Sequence, residues 1–73
     1  MIIKILGTGC AKCRKLEENA RKAAEGMNAE VQKVTDLNEI MNYGVMMTPA
    51  LVIDEKVVSA GKVLSSDKIK ELL

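Results

Sequence analysis

A change of hydrophobic period within the first 27 residues constrains this chain most. Ile2, Ile3, Ile5 and Leu6 form an apolar run broken only by Lys4, which suits a strand buried on both faces. Gly7-Thr8-Gly9 is a turn signal. The period then becomes helical: Cys13, Leu16, Ala20, Ala23, Ala24 and Met27 share one face. Charged residues take the other, with Arg14–Glu18, Glu17–Arg21 and Arg21–Glu25 as i,i+4 pairs of opposite sign. Gly26 or Asn28 is expected to end the helix.

The rest of the chain continues the alternation. Residues Ala29 to Val34 read as a second strand. Asp36 with Glu39 forms a capping-box-like start for a short helix carrying Leu37, Ile40 and Met41, stopped by Gly44. Ala50-Leu51-Val52-Ile53, Asp54-Glu55-Lys56 and Val57-Val58 follow the pattern of a β-hairpin, broken at Ala60-Gly61. Ser65 or Ser66 caps a last helix, with Asp67 in its first turn and Ile69, Leu72 and Leu73 inward. The order β-α-β-α-β-β-α implies an α/β fold, with a four-stranded mixed sheet and helices on both faces. Its first βαβ unit is expected to be right-handed. With 73 residues, one domain spanning 1–73 is expected. Such a chain buries only about 60–65% of its unfolded surface. With one Tyr and no Phe or Trp, the core must be aliphatic.

Several function classes are excluded or disfavoured. Eleven basic and ten acidic side chains leave +1, too little for a global field that attracts nucleic acid or acidic membranes. There is no His, which removes Ser-His-Asp and Cys-His hydrolysis and His-ligated metal sites. The apolar runs are far too short for a spanning helix. Met1 leads straight into Ile-Ile-Lys-Ile-Leu without a basic n-region or cleavage site, so no secretory signal and a cytoplasmic location are expected.

Two cysteines, Cys10 and Cys13, stand in C-x-x-C spacing. A bridge between them closes a tiny loop and barely constrains the unfolded chain, so it is not a structural staple. The spacing reads as redox chemistry or metal binding. Cys10 falls where the glycine turn meets the helix, and backbone N–H groups and the helix dipole there favour an anion. Lys12 and Arg14 add positive charge, and residues 1–26 carry a net +3. Cys13 begins the apolar stripe, where burial disfavours its thiolate. Lys12 reads either as a solvated lysine or as a cation supporting the Cys10 thiolate. Two thiolates are only half of a closed Zn site, which ranks redox ahead of metal.

Thr48-Pro49 is the second constellation. Pro49 precedes a strand, where a missing N–H costs least. Met46 and Met47 read as core gap-fillers or as a soft apolar rim. Tyr43 reads as partly buried packing. Gly7 and Gly9 are too few for a phosphate loop.

Taken together, these residues resemble the thioredoxin superfamily, in particular its small, glutaredoxin-sized redox-active disulfide proteins. Three features carry the resemblance over nearly the whole chain. They are the strand, Gly-Thr-Gly, Cys10-Ala11-Lys12-Cys13 and helix; then Met47-Thr48-Pro49-Ala50-Leu51-Val52-Ile53; then the hairpin, glycine and terminal helix. The resemblance implies a thioredoxin fold, with Cys10 as nucleophile, Cys13 as resolving thiol and Pro49 as a cis-proline facing them. It also implies that the Thr48 backbone pairs with an extended substrate segment. The chain departs from the family's pattern in three places. Gly9 replaces the common Trp, Ala11-Lys12 is neither Gly-Pro nor Pro-Tyr, and Lys4 stands in a strand that carries a buried acid in thioredoxins. Proton transfer at Cys13 therefore lacks an obvious base.

The expected function is thiol–disulfide exchange with partner protein disulfides, by a monomer that needs no bound cofactor and is recharged by an upstream reductase. The main alternative is a metal- or metalloid-binding chaperone of ferredoxin-like topology, whose Gly-x-x-Cys-x-x-Cys start residues 7–13 partly mimic. That topology ends in a strand, whereas residues 65–73 read as a capped helix. A binding module that keeps the fold without turnover is a third class.

Overall fold

The computed structural model describes all residues, 1–73, and its elements run in the expected order. They are β1 (Ile2–Leu6), α1 (Ala11–Ala23), β2 (Glu30–Val34), α2 (Leu37–Asn42), β3 (Ala50–Ile53), β4 (Lys56–Ala60) and α3 (Ser66–Leu72). The sheet order is β2-β1-β3-β4. β1 pairs parallel to β2 and antiparallel to β3, and β3 pairs antiparallel to β4. The terminal helix and this order exclude the ferredoxin-like topology.

Strand alternation on β1 divides the interior in two. Ile3 and Ile5 point to one face and pack with Leu16, Ala20 and Ala23 of α1, Leu51 and Ile53 of β3, and Ile69 of α3. Leu6 points to the other face and packs with Val34, Ile40, Val45, Ala50 and Val52. Helices α1 and α3 thus cover one face and α2 the other. The alanines of α1 let the helix approach the sheet closely, which suits a core without large aromatic rings. Leu16 and Leu51 are fully buried.

Lys4, alone among the β1 side chains in being charged, lies on the α2 face. Its Nζ pairs with Glu55 Oε1 at 2.7 Å and donates to Tyr43 Oη at 2.8 Å. Tyr43 Oη in turn donates to Glu55 Oε2 at 3.1 Å. These hydrogen bonds tie α2 to the β3–β4 turn. They hold the Lys4 ammonium well above its usual pKa, with Glu55 as the main cause, and hold Glu55 below the usual carboxylate value. At that turn Asp54 and Glu55 take positive φ (48° and 69°), the conformation a two-residue hairpin requires.

Several boundaries differ from expectation. Helix α1 stops at Ala23, with Ala24 as cap, so Met27 lies beyond it and is 41% exposed. Of the three expected ion pairs on α1, Glu17–Arg21 forms at 2.8 Å, and Glu17 also meets Lys33 of β2 at 3.6 Å. Helix α2 is so short that only Ile40 reaches the core, leaving Leu37 and Met41 exposed. Asp36 caps it by accepting from Asn38 N. Ser65, not Ser66, caps α3, and Leu72 faces outward while Ile69 and Leu73 pack inward.

Leu16→Ala is expected to lower unfolding stability by about 2–5 kcal/mol, read from urea denaturation. A loss under about 1 kcal/mol would mean that α1 does not press this side chain into the sheet.

Candidate functional site

The end of β1 and the start of α1 build the site. The alternation that sends Ile3 and Ile5 toward α1 sends Gly7 the same way. A Cβ placed on Gly7 would overlap Cys13 Sγ and lie 3.9 Å from the Pro49 Cα. Gly7 is therefore the floor on which Cys13 rests, and Pro49 borders that floor. Sequence reading treats Gly7 as part of a turn. Its steric role appears only when α1 is laid over β1.

Cys10 is the N-cap of α1. Its Sγ accepts from Cys13 N at 3.3 Å and lies 2.6 Å from Cys13 Sγ. Both cysteines are free. Cys10 is exposed, whereas Cys13 is only 5% exposed. The surroundings push the two thiols apart. Hydrogen bonding from the Cys13 thiol, then from the backbone N–H groups of Cys13 and Lys12, lowers the Cys10 pKa. Burial, reinforced by the hydrogen bond with Cys10, raises that of Cys13. Lys12 follows Cys10 on an exposed helix turn and acts on that thiol through its backbone N–H.

The second constellation meets the first at Gly7. The Thr48–Pro49 bond is cis, Pro49 is buried and Thr48 is exposed. The carbonyl of Pro49 accepts from Gly61 N at 2.8 Å. No hydrogen bond within the chain uses the Thr48 backbone. Met46 is 97% exposed and Met47 64% exposed, so neither is a core gap-filler. Met47 lies against Gly61, where an added Cβ would stand 3.1 Å from its Cβ and Cε. The two methionines form an apolar rim beside Thr48 and Pro49.

Beside Cys13 lies a cleft of about 30 Å³, lined by Cys13, Gly7, Arg14, Glu17, Lys33 and Thr35 among others. Sequence reading assigns Glu17 to a solvated helix face. Its spacing of four from Cys13 is the signal that brings it to the same cleft. No third His, Cys, Asp or Glu joins the two thiols in a metal-holding group, whereas a closed tetrahedral site takes four ligands.

The family model for the thioredoxin domain matches residues 1–73. The chain belongs to the thioredoxin family. Two curated thioredoxins align with its whole length. That of Methanocaldococcus jannaschii is 47% identical over 75 aligned positions, and this chain covers 86% of it. That of Methanothermobacter thermautotrophicus is 40% identical over 75 positions, with 97% of its length covered. This thioredoxin-family chain is a thiol–disulfide oxidoreductase by class, and its two cysteines lie close together. No helix is long and apolar enough to cross a membrane.

Two outcomes are expected. With a limiting alkylating agent, the reduced protein is labelled at Cys10 before Cys13. The labelling rate has a pH midpoint below the ordinary thiol value of 9.0. Peptide mass spectrometry checks both, and faster labelling of Cys13 would reverse the assignment. Gly7→Ala is expected to destabilise the fold by about 1–3 kcal/mol, because the added methyl displaces Cys13. The same variant should raise Cys13 labelling.

Proposed function

We propose that this thioredoxin-family protein reduces protein disulfides through the Cys10–Cys13 couple, with Cys10 attacking and Cys13 resolving. The observation that carries this reading is the asymmetry of the pair. One thiol is exposed at a helix cap and acidified, while the other is buried and made less acidic, with 2.6 Å between the sulfurs.

The Cys10 thiolate attacks one sulfur of the partner disulfide, the partner's S–S bond breaks, and its other sulfur leaves as thiolate. Cys13 then attacks the Cys10 sulfur of the mixed disulfide and expels the second partner thiolate. Two electrons pass to the partner, and the Cys10–Cys13 disulfide forms. An upstream disulfide reductase returns those electrons. The free N–H and C=O of Thr48 are suited to an extended partner segment, laid along the rim of Met46, Met47 and Pro49 as an added strand. The protein works as a cytoplasmic monomer and needs no bound cofactor. Lys12 tunes the nucleophile.

The test is insulin reduction with a dithiol donor, together with capture from a lysate. Cys10→Ser is expected to abolish turnover. Cys13→Ser should stall with partners held through Cys10, released by added reductant. Turnover that survives Cys10→Ser would overturn the reading. Lys12→Glu places an anion beside the Cys10 thiolate, which raises the Cys10 pKa. Stabilised thiolate exists only in the reduced form, so losing that stabilisation favours the disulfide. The potential is expected to fall by roughly 10–30 mV in a glutathione equilibrium. An unchanged potential at low ionic strength would remove Lys12 from the site.

A further inference from the structure

Resolution requires the Cys13 thiol to lose its proton, and Cys13 is buried away from bulk solvent. The cleft beside it is the route by which that proton can leave. From α1 the cleft receives Arg14 and Glu17, from β2 Lys33, and from the following loop Thr35; β1 contributes only Ile5, and the turn after it Gly7 and Gly9. Arginine does not give up its proton, Lys33 is a cation paired with Glu17, and the threonine hydroxyl is a poor base. Lys4, on the strand that leads into Gly7, lies on the opposite face of the sheet and is engaged by Glu55 and Tyr43. Glu17 is thus the one carboxylate that faces the space beside Cys13. Its side chain is 15% exposed and held in place, with Oε2 accepting from Arg21 Nε at 3.0 Å and Oε1 3.6 Å from Lys33 Nζ.

We propose that Glu17 is the proton acceptor for Cys13, taking the proton through a water molecule in the cleft. This rests on the oxidoreductase reading above. A volume of about 30 Å³ accommodates a water, and the cleft supplies the polar partners it needs. The Cys13 S–H bond breaks, the proton passes by way of the water to a Glu17 oxygen, and the Cys13 thiolate attacks Cys10 Sγ. The Cys10–partner S–S bond breaks, and the partner thiolate takes up a proton from solvent as Glu17 releases its own. Lys33, across the cleft from α1, holds the Glu17 carboxylate at its edge. The transfer runs uphill, and attack on Cys10 draws it forward by consuming the thiolate.

The geometry also dictates a pH signature. Thiolate with protonated Glu17 holds as many protons as thiol with ionised Glu17. Resolution by this route is therefore independent of pH wherever Glu17 is ionised and Cys13 is a thiol. Without Glu17, the rate must follow the Cys13 thiolate fraction and rise tenfold per pH unit.

Stopped-flow reaction of the reduced protein with a thionitrobenzoate disulfide separates the steps. The first coloured thiolate is released by Cys10, and the second by Cys13. Wild type is expected to show a second phase nearly flat in pH around neutrality. Glu17→Gln is expected to slow that phase by about tenfold or more relative to the first, to restore the tenfold-per-unit slope, and to be rescued by added formate. Arg21→Ala breaks the same ion pair outside the cleft but leaves the carboxylate, and is expected to keep the fast second phase. An unaffected second phase in Glu17→Gln overturns the inference, as does an equal loss in Arg21→Ala. If Glu17→Gln does not fold, the wild-type profile decides, and a slope of tenfold per unit overturns the proposal. A wild type without a second phase overturns the oxidoreductase reading together with this inference. A two-phase wild type with an unaffected Glu17→Gln overturns the inference alone.

Discussion

The packing of Cys13 against Gly7 is the contact on which the site depends. A side chain of any size at residue 7 would collide with the Cys13 sulfur. Because the glycine is there, α1 settles on the sheet with its first turn directly above the end of β1. Cys13 is then almost wholly buried, Cys10 is left at the rim as the helix cap, and Pro49 borders the same floor. A difference of three residues along one helix becomes a difference between an exposed thiol and a buried one.

That difference has an electrostatic consequence. The exposed sulfur faces N–H donors that have no partner within the helix, and an anion is the natural occupant of such a position. The buried sulfur lies against Gly7 and a neighbouring thiol, and burial favours its neutral form. The fold thus assigns different chemistry to two identical side chains without a third catalytic group at the rim. The same burial also creates a need, since a thiol removed from solvent needs a path for its proton. The narrow cleft toward Glu17 and Lys33 is where the structure leaves one open.

The opposite face of the sheet serves a different purpose. Lys4 is a charge in the central strand, and it is accommodated because Tyr43 at the end of α2 and Glu55 in the hairpin turn close over it. This ties the two most local parts of the fold together. The loop between α2 and β3 runs from there to Pro49, exposing Met46 and Met47 beside Thr48 and Pro49. Short α2 and an extended loop give this edge little apolar cover, so Leu37, Met41, Met46 and Met47 stay exposed.

Much was legible in the sequence. The switch from a two-residue to a 3.6-residue period placed β1 and α1, the Asp-Glu turn placed the hairpin, and Cys10-Ala11-Lys12-Cys13 at a helix start indicated thiol chemistry. These features are local: each depends on spacing along one element. Less local features were misread. Met27, Leu37, Met41 and Leu72 look like core residues by type and spacing, but their helices end too soon or are too short to bury them. Gly7 as a steric floor and Lys33 as a neighbour of Cys13 were invisible for a related reason. Each role depends on how α1 is laid across β1 and β2, and side chains brought together by that crossing carry no common period in the chain. The sequence by itself determined the elements, their order and the place of Cys10 at the start of α1. Only the tertiary structure decided how deeply Cys13 is buried and which charged groups share its cleft, because burial and proximity are properties of packed surfaces, not of neighbours along the chain.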